Sequence, residues 1–477
     1  MEEKKLFQQI ELPSTLEGCH DLIRTLLGTI SELFNRVEKL EIENRQLRER
    51  LNNNSSNSSL PPSRDNKKKN KKKNKSTSKN KSGGQAGHKG HFRKLLDINE
   101  VDSVINCELP THCACSGEII SKEDYQRHQV YDLPKIKLYV TEYHLNKGYC
   151  CNCGRNHVAT FPEGVTWGIT GPKLTAFMSH LVSKYQMSRR ELKEFLKEHL
   201  NFEISLGTVF NKQKIVNNAL EVPTTELLVA IKQNPNINVD ETGHNRDGKK
   251  HCLWAIASST AAYFSIQVSR GKKALKSLIG DFNNFVISDR YVAYNHFDSS
   301  KRQICWAHLK RDFTKLSEKE DKIVARIGKK LLKCEFQLFE IWHQFKQNHI
   351  TRDELMRQSN LIRRTVGELL EQGSYTDPSL RAARFCKNLL KEFDALWTFI
   401  SVEGIEPTNN HAERCLRHSV TWRKKYFGTR SDYGSEYVAR TASANMTCKL
   451  QGKNSFTYLW QSVQNYFIKI PAPALIN

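Results

Sequence analysis

The sequence predicts a multidomain α+β protein, and three observations carry that expectation. Heptads near the N-terminus, two cysteine clusters in the first third, and alternating strand patterns that give way to long helical periodicity do not fit one layer architecture. At 477 residues and 38% apolar content, the chain can build two to four ordinary cores, which excludes a wholly disordered protein. A net charge of +23 points to a polyanion, because such a Lys/Arg excess is the electrostatic footprint of nucleic-acid binding. Membrane partners are not expected. No run approaches the roughly 20 apolar residues of a spanning helix, and the start "MEEKKLFQQIELP" lacks the apolar core of a signal peptide, so a cytoplasmic location is predicted. Of the 13 cysteines, six crowd between Cys107 and Cys153, a distribution that suits reduced thiols plus one metal site better than a disulfide framework.

In chain order, Ile23, Leu26, Ile30, Leu33, Val37, Leu40, Asn44, Leu47 and Leu51 alternate spacings of three and four, the a/d seam of a coiled coil over residues 20–52. Asn44 at an a position favours two strands, hence a homodimer. The alternative is a lone amphipathic helix docked on its own protein, since heptads this short are marginal. Residues 53–99 read as a linker with almost nothing apolar to bury. Between Arg64 and Lys94 it holds thirteen Lys or Arg against one Asp, an arm able to bind phosphates without reading sequence. A localisation tag or solubilising tail is the competing reading, and it leaves +11 elsewhere in the chain.

Residues 100–165 bring "CELPTHCACSGEI" and "YCCNCGRNH". Cys150 and Cys153 form a C-x-x-C knuckle followed by glycine, whose turn lets two thiolates face one structural zinc. Cys113 and Cys115 form a C-x-C, so Cys107 or His112 can replace one of them as ligand, and buried free cysteines remain the alternative. From 166 to 222 the pattern is helical: Ser188 and Glu191 form a capping box and Ser205 can cap a last helix. Three short helices suit a helix-turn-helix with Arg189, Arg190 and Lys212 toward DNA, although three-helix packing also occurs without it.

The segment 230–450 reads as the catalytic domain. "PNINVDETG", "HCLWAIAS" and "YFSIQVS" form a three-stranded meander, "KKALKSLIG" a helix, and "NFVISDRYVAYN" a strand ending at Asp289. Capping boxes at Ser317/Glu320 and Thr351/Glu354, with Asp377-Pro378 opening a third helix, predict an all-α insertion at 317–400. Residues 451–477 are left as a C-terminal tail. Strand aspartates alone are more often turn or cap residues, and Glu413 alone can pair with Arg417 one helical turn on. Together, Asp240, Asp289 and Glu413 can surround two divalent cations, Mg²⁺ or Mn²⁺, as phosphodiester cleavage requires. Arg414, Arg417, Arg423, Lys424, Lys425 and Arg430 can then hold phosphates, while Trp422, Tyr426 and Phe427 can stack on bases at a melted end.

The order of heptads, "NSSNSSLPPSRD", "GGQAGHKGH", two cysteine knuckles, "SRRELKEFL", "SLGTV", "VDETG", "SDRYVAYN", "CWAHLKRDF" and "NNHAERCLR" resembles the transposases of the insertion sequence 66 family over nearly the whole chain. That resemblance implies a ribonuclease-H-like DDE core in which Asp240, Asp289 and Glu413 are the catalytic triad. It also implies metal-dependent cleavage at the element's terminal inverted repeats, transfer of the 3′-hydroxyl into target DNA, and a bacterial, nucleoid-associated location. Accessory proteins of the element and assemblies beyond the dimer are compatible with it. Trp306 and His308 fall in a family motif beside the core, where a supporting role is expected. "EPTNNHAER" departs from the family pattern, which makes Glu406 the fallback third acid; its place before Pro407 is less helical. Two other functions fit parts of the sequence: a dimeric DNA-binding regulator with a dead core, and an RNA-guided nuclease. In the second a zinc knuckle interrupts the catalytic domain, whereas here it precedes Asp240.

Overall fold

The heptad run folds as one helix, α1 (Leu16–Leu51). Among the described residues its seam stays open, with Ile23, Ile30, Leu33 and Leu40 all about half exposed, while the end of the helix meets the same chain through Arg48 and Glu320 at 3.9 Å. The computed structural model of the protein describes residues 13, 15–58, 93–122, 125–165, 168–376 and 381–476. The basic arm from Arg64 up to residue 92 and the Asp377-Pro378 helix start lie outside the described residues. Two units are present, one of Met1–Lys69, Glu221–Asn454 and Ala474–Asn477, the other of Asn70–Leu220 and Ser455–Pro473. Among the described residues, no helix is long and apolar enough to cross a membrane.

In the second unit, residues 93–165 are mostly irregular and exposed, with one short hairpin, β1 (Lys147–Tyr149) and β2 (Asn156–Val158). Three helices follow: α2 (Pro172–Lys184), α3 (Arg189–Leu200) and α4 (Leu206–Ala219). The capping box at Ser188 and Glu191 forms as expected, and the Ser205 side chain accepts from the Thr208 amide. Met178, Leu192, Leu196, Ile204 and Val209 make the shared core.

In the first unit, which also holds α1, α5 (Glu221–Lys232) leads into a five-stranded sheet. β3 (Asn236–Arg246), β4 (Lys249–Ala257) and β5 (Ala262–Gln267) form the expected antiparallel meander. After α6 (Lys272–Ile279), β6 (Phe285–Ser288) pairs parallel to β3, and β7 (Arg302–Ile304) pairs parallel to β6. The sheet order is therefore β5-β4-β3-β6-β7. Then come α7 (Trp306–Ser317), α8 (Lys322–Lys346), α9 (Arg352–Ser374), α10 (Arg381–Lys391), α11 (Thr398–Ser401), α12 (Asn410–Tyr426) and α13 (Asp432–Leu450). The helical insertion departs from expectation at its start. Trp306, Leu309, Phe313 and Leu316 carry a buried stripe through α7 to Ser317, and the cap of α8 is Asp321, which accepts from the Ile323 and Val324 amides at 2.8 and 2.9 Å. The Ser317/Glu320 box is thus not used, because residue 317 still belongs to a helix held by the core. The Thr351 cap of α9 is observed.

Two cores flank the sheet. Ile287, Ile304 and Trp306 join the helical insertion through Leu331, Leu338, Val366 and Phe399. Leu253, Ala255 and Phe264 pack with Cys415 and Leu416 of α12 and Ala439 of α13. The edge strand β5 is not left open: Thr447 and Ser443 of α13 accept from the Ala262 and Phe264 amides at 3.1 and 2.9 Å, which occupies donors that would otherwise template another strand. The segment 451–477, expected as a tail, contains α14 (Ser455–Phe467), which packs on α2 and α4 within the second unit. Its apolar residues Tyr458, Leu459 and Val463 are buried at helical spacing, the signal that the tail reading passed over.

Beyond α12 the chain must turn sharply back to β3. Phe427 adopts φ 60°, Gly428 has φ 123°, and the Thr429 amide donates to the Asn245 carbonyl at 2.9 Å. A Cβ at Gly428 would overlap that carbonyl oxygen. Gly428→Ala is therefore expected to cost about 2–4 kcal/mol, from a disfavoured φ plus overpacking. Urea unfolding measures it, and a midpoint equal to wild type would refute the tight α12–β3 return.

Candidate metal centre

The strand register places the first two acids together. β3 and β6 run parallel with Asn238 opposite Ile287; extended by two residues, that register sets Asp240 level with Asp289. Residues in register on parallel strands project to the same face, so both carboxylates share one end of the sheet. Each is anchored by a local amide: Asp240 Oδ1 accepts from the Glu241 amide at 2.9 Å and Asp289 Oδ1 from the Tyr291 amide at 2.8 Å. β7 continues the pattern, since Ser288 opposite Ile304 brings Cys305 to the level of Asp289.

The third acid arrives through a clamp that the sequence reading did not single out. Asn409 is fully buried and ties α12 to β3. Its Oδ1 accepts from Asn238 Nδ2 at 2.9 Å, its Nδ2 donates to the Val239 carbonyl at 2.8 Å, and its backbone amide donates to Cys305 Sγ at 3.1 Å. Glu413 lies one helical turn on, its amide bonded to the Asn409 carbonyl at 3.2 Å. Glu413 therefore faces the strand end, and the ion pair with Arg417 is not formed. It meets His308 instead, Nδ1 to Oε1 at 3.5 Å. Glu406 is exposed and paired with Lys346 at 2.8 Å, away from this group.

The electrostatics are those of buried acids that repel one another. Burial first, then the charges of Glu241, Asp289 and Glu413, hold the Asp240 carboxyl well above the usual carboxylate range. Although only 3.5 Å apart, His308 Nδ1 and Glu413 Oε1 are buried and make no hydrogen bond among the described residues. Unpaired buried atoms of this kind are costly. Among the described residues, Cys305, His308 and Glu413 form the group whose ligand atoms lie within 4.8 Å of one another. Burial pushes the Cys305 thiol up to about 11, which disfavours the thiolate a metal would need. His308 and Glu413 offer donors of the kind a divalent cation takes, the thiol fits the core, and Asp240 and Asp289 lie outside that close group.

Glu241, adjacent to Asp240 in "VDETG", was also passed over. Its side chain is fully buried, accepts from Arg270 Nε at 2.6 Å and is bonded by the Tyr294 hydroxyl. Burial, then Asp289, raises its carboxyl, against the Tyr294 and Arg270 contacts. Alternation along β3 sends it to the face opposite Asp240. Only a strand assignment combined with a buried partner reveals it.

Other expected site residues are dispersed. Arg190 is exposed and Arg189, also exposed, is held by Gln213 Oε1 at 2.7 Å. Lys212 is 7% exposed, and burial lowers its ammonium. It corrects the expected DNA-facing set, because Lys212 lies on the same stripe of α4 as Val209 and Val216, a spacing visible in the sequence. Along α12, Arg414, Arg417, Lys424 and Lys425 are exposed. Arg423 is not a free phosphate ligand: it donates to Thr242 Oγ1 at 3.1 Å and to the Gly243 carbonyl. Trp422 lies parallel to His244, at 6.1 Å between centroids and 8°, so stacking within the protein occupies it. The cysteine knuckles form as two turns, with the Gly154 amide on the Cys150 carbonyl and the Ser116 amide on the Cys113 carbonyl, both at 2.8 Å. Gly154 takes φ 68°, the left-handed turn the knuckle needs. Backbone hydrogen bonds from the paired residue, Cys115 for Cys113 and Cys153 for Cys150, lower these two thiols. Cys113, Cys115, Cys150 and Cys153 are not drawn into one ligand group.

Comparison with known proteins bears on the same residues. The family model described as "Transposase IS66 family" matches residues 168–437, a span that includes Asp240, Asp289 and Glu413. A second model, described as a family of unknown function (DUF6444), matches residues 12–94. "Uncharacterized protein y4qI" of Sinorhizobium fredii (strain NBRC 101917 / NGR234) is 23% identical over 406 residues, 77% of this chain and 72% of its own.

Proposed function

Because the chain belongs to the IS66 transposase family, we propose that it cuts the ends of its element by metal-dependent phosphodiester hydrolysis and joins the freed 3′-hydroxyls to target DNA. The observation that carries this reading is the register of β3 against β6, which levels Asp240 with Asp289, joined to the Asn409 clamp that delivers Glu413. A ribonuclease-H-like core is the fold that accommodates such acids on a mixed five-stranded sheet.

Asp240, Asp289 and Glu413 would hold the divalent cations, Mg²⁺ or Mn²⁺, with His308 beside Glu413. When bound, such ions polarise the scissile phosphate and lower the pKa of an attacking water or hydroxyl. The protein's own contribution is placement. Rigid strands fix the aspartates, and Arg302 donates to the Asp289 carbonyl at 2.8 Å. Exposed Arg414, Arg417, Lys424 and Lys425 supply phosphate contacts without sequence preference, and Arg190 offers one on the helical unit. The exposed seam of α1 suits a second copy of the same helix, which makes a homodimer the working assembly.

The test uses the purified full chain and a duplex carrying the DNA that flanks its gene. Nicking that needs Mg²⁺ or Mn²⁺, and that disappears in Asp289→Ala while mobility-shift binding persists, is the expected result. Equal nicking by the variant would refute the assignment.

A further inference from the structure

A cavity of about 250 Å³ opens beside Asp289, with Ser58, Arg270, Arg290, Tyr291, His308, Arg311 and Asp312 around it. Three guanidiniums around one small space repel one another unless anions neutralise them. Arg270 gives Nε to Glu241 at 2.6 Å and stacks 3.9 Å over the Tyr291 ring. Arg290 gives Nε and Nη2 to Asp312 Oδ2 at 3.1 and 2.9 Å. Both are fixed in place with one face of the fork already matched. Arg311, half-buried on α7, makes no hydrogen bond or ion pair among the described residues. Once the two pairs are discounted, Arg311 is, among the described residues that line the cavity, the guanidinium left without an anionic partner.

We propose that this cavity binds a DNA backbone phosphate next to the one being cut, with Arg311 as its principal ligand and the preset forks of Arg270 and Arg290 as its walls. Guanidinium suits this ligand because its planar donors match phosphate oxygens two at a time. Seating a neighbouring phosphate there would fix the strand relative to Asp289, a positioning role that is distinct from the exposed cations of α12. Which phosphate is bound rests on the catalytic reading of Asp289 given above.

The experiment measures binding of a fluorescein-labelled random-sequence duplex to the full chain in EDTA, over a series of salt concentrations. Each phosphate neutralised contributes a slope of about −0.9 in log K against log salt, so Arg311→Gln is expected to shallow the slope by about one, and Arg311→Glu by at least as much. The basic arm is common to all proteins compared and cancels. Circular dichroism and the thermal midpoint should match wild type, since Arg311 has no partner among the described residues to orphan. A wild-type slope in Arg311→Gln overturns the phosphate site. The two readings separate cleanly: nicking without a slope change removes the cavity's role, whereas a slope change in a protein that never nicks removes the catalytic reading and keeps the anion site.

Discussion

Asp240→Asn is expected to abolish strand cleavage and, in EDTA, to raise the thermal midpoint above wild type. The loss should be about three orders of magnitude or more, the scale reached when an electrostatic centre acting on the transition state is removed. The gain in stability follows from the same crowding. Asp240 is held above the usual aspartate range by burial first and by Glu241, Asp289 and Glu413 next. The folded state therefore binds its proton more tightly than the unfolded chain. Stability from this group is complete below the unfolded value and is lost as pH rises through the raised one. Asparagine keeps the shape and removes that loss. In EDTA, the wild-type midpoint should fall as pH climbs from the ordinary aspartate range upward, the variant's should fall less, and added Mn²⁺ should close most of the gap by binding only the folded acids. A variant that melts below wild type at pH 8 in EDTA would contradict the crowding of these acids.

Arg302→Met, in contrast, should damage the fold severely. The guanidinium is fully buried at the join of β6, β7 and the insertion. It donates to Ser288 Oγ at 3.2 Å, Asn295 Oδ1 at 3.0 Å, Glu392 Oε2 at 3.4 Å and the Asp289 carbonyl at 2.8 Å. Burial lowers its pKa, opposed by Glu392 and Asp289, so these partners keep the charge tolerable inside the core. Methionine approximates the volume but leaves four acceptors without a donor. Breaking a buried pair in this way costs about 3–5 kcal/mol. Urea unfolding should show it, and cleavage should fall as well, because the backbone of Asp289 loses its anchor. A loss under about 1 kcal/mol would mean that water replaces the guanidinium without penalty.

Much of this was legible locally. The a/d spacing from Ile23 to Leu51 gave one helix, the Ser188/Glu191 box started α3 where expected, and β3, β4 and β5 followed their alternation. Such features depend on neighbours within a few residues. The failures were also physical. Lys212 was read by its charge when its spacing placed it with Val209 and Val216, and Ser317 was read as a cap although α7 was held to that residue by Phe313 and Leu316. Arg423 and Trp422 were read as ligands for DNA, yet both are engaged with β3, a strand about 180 positions away in the sequence.

By itself, the sequence determined which acids are available, the strands that carry Asp240 and Asp289, and the helix that carries Glu413, because periodicity and capping act over one or two turns. Only the tertiary structure set Asp240 level with Asp289 and brought Glu413 beside His308. Asn409 must reach across some 170 residues of chain to Asn238 and Val239, and Arg302 must be caged before Asp289 is held. Contacts of that kind arise from burial and hydrogen-bond satisfaction among distant segments, which no local pattern encodes.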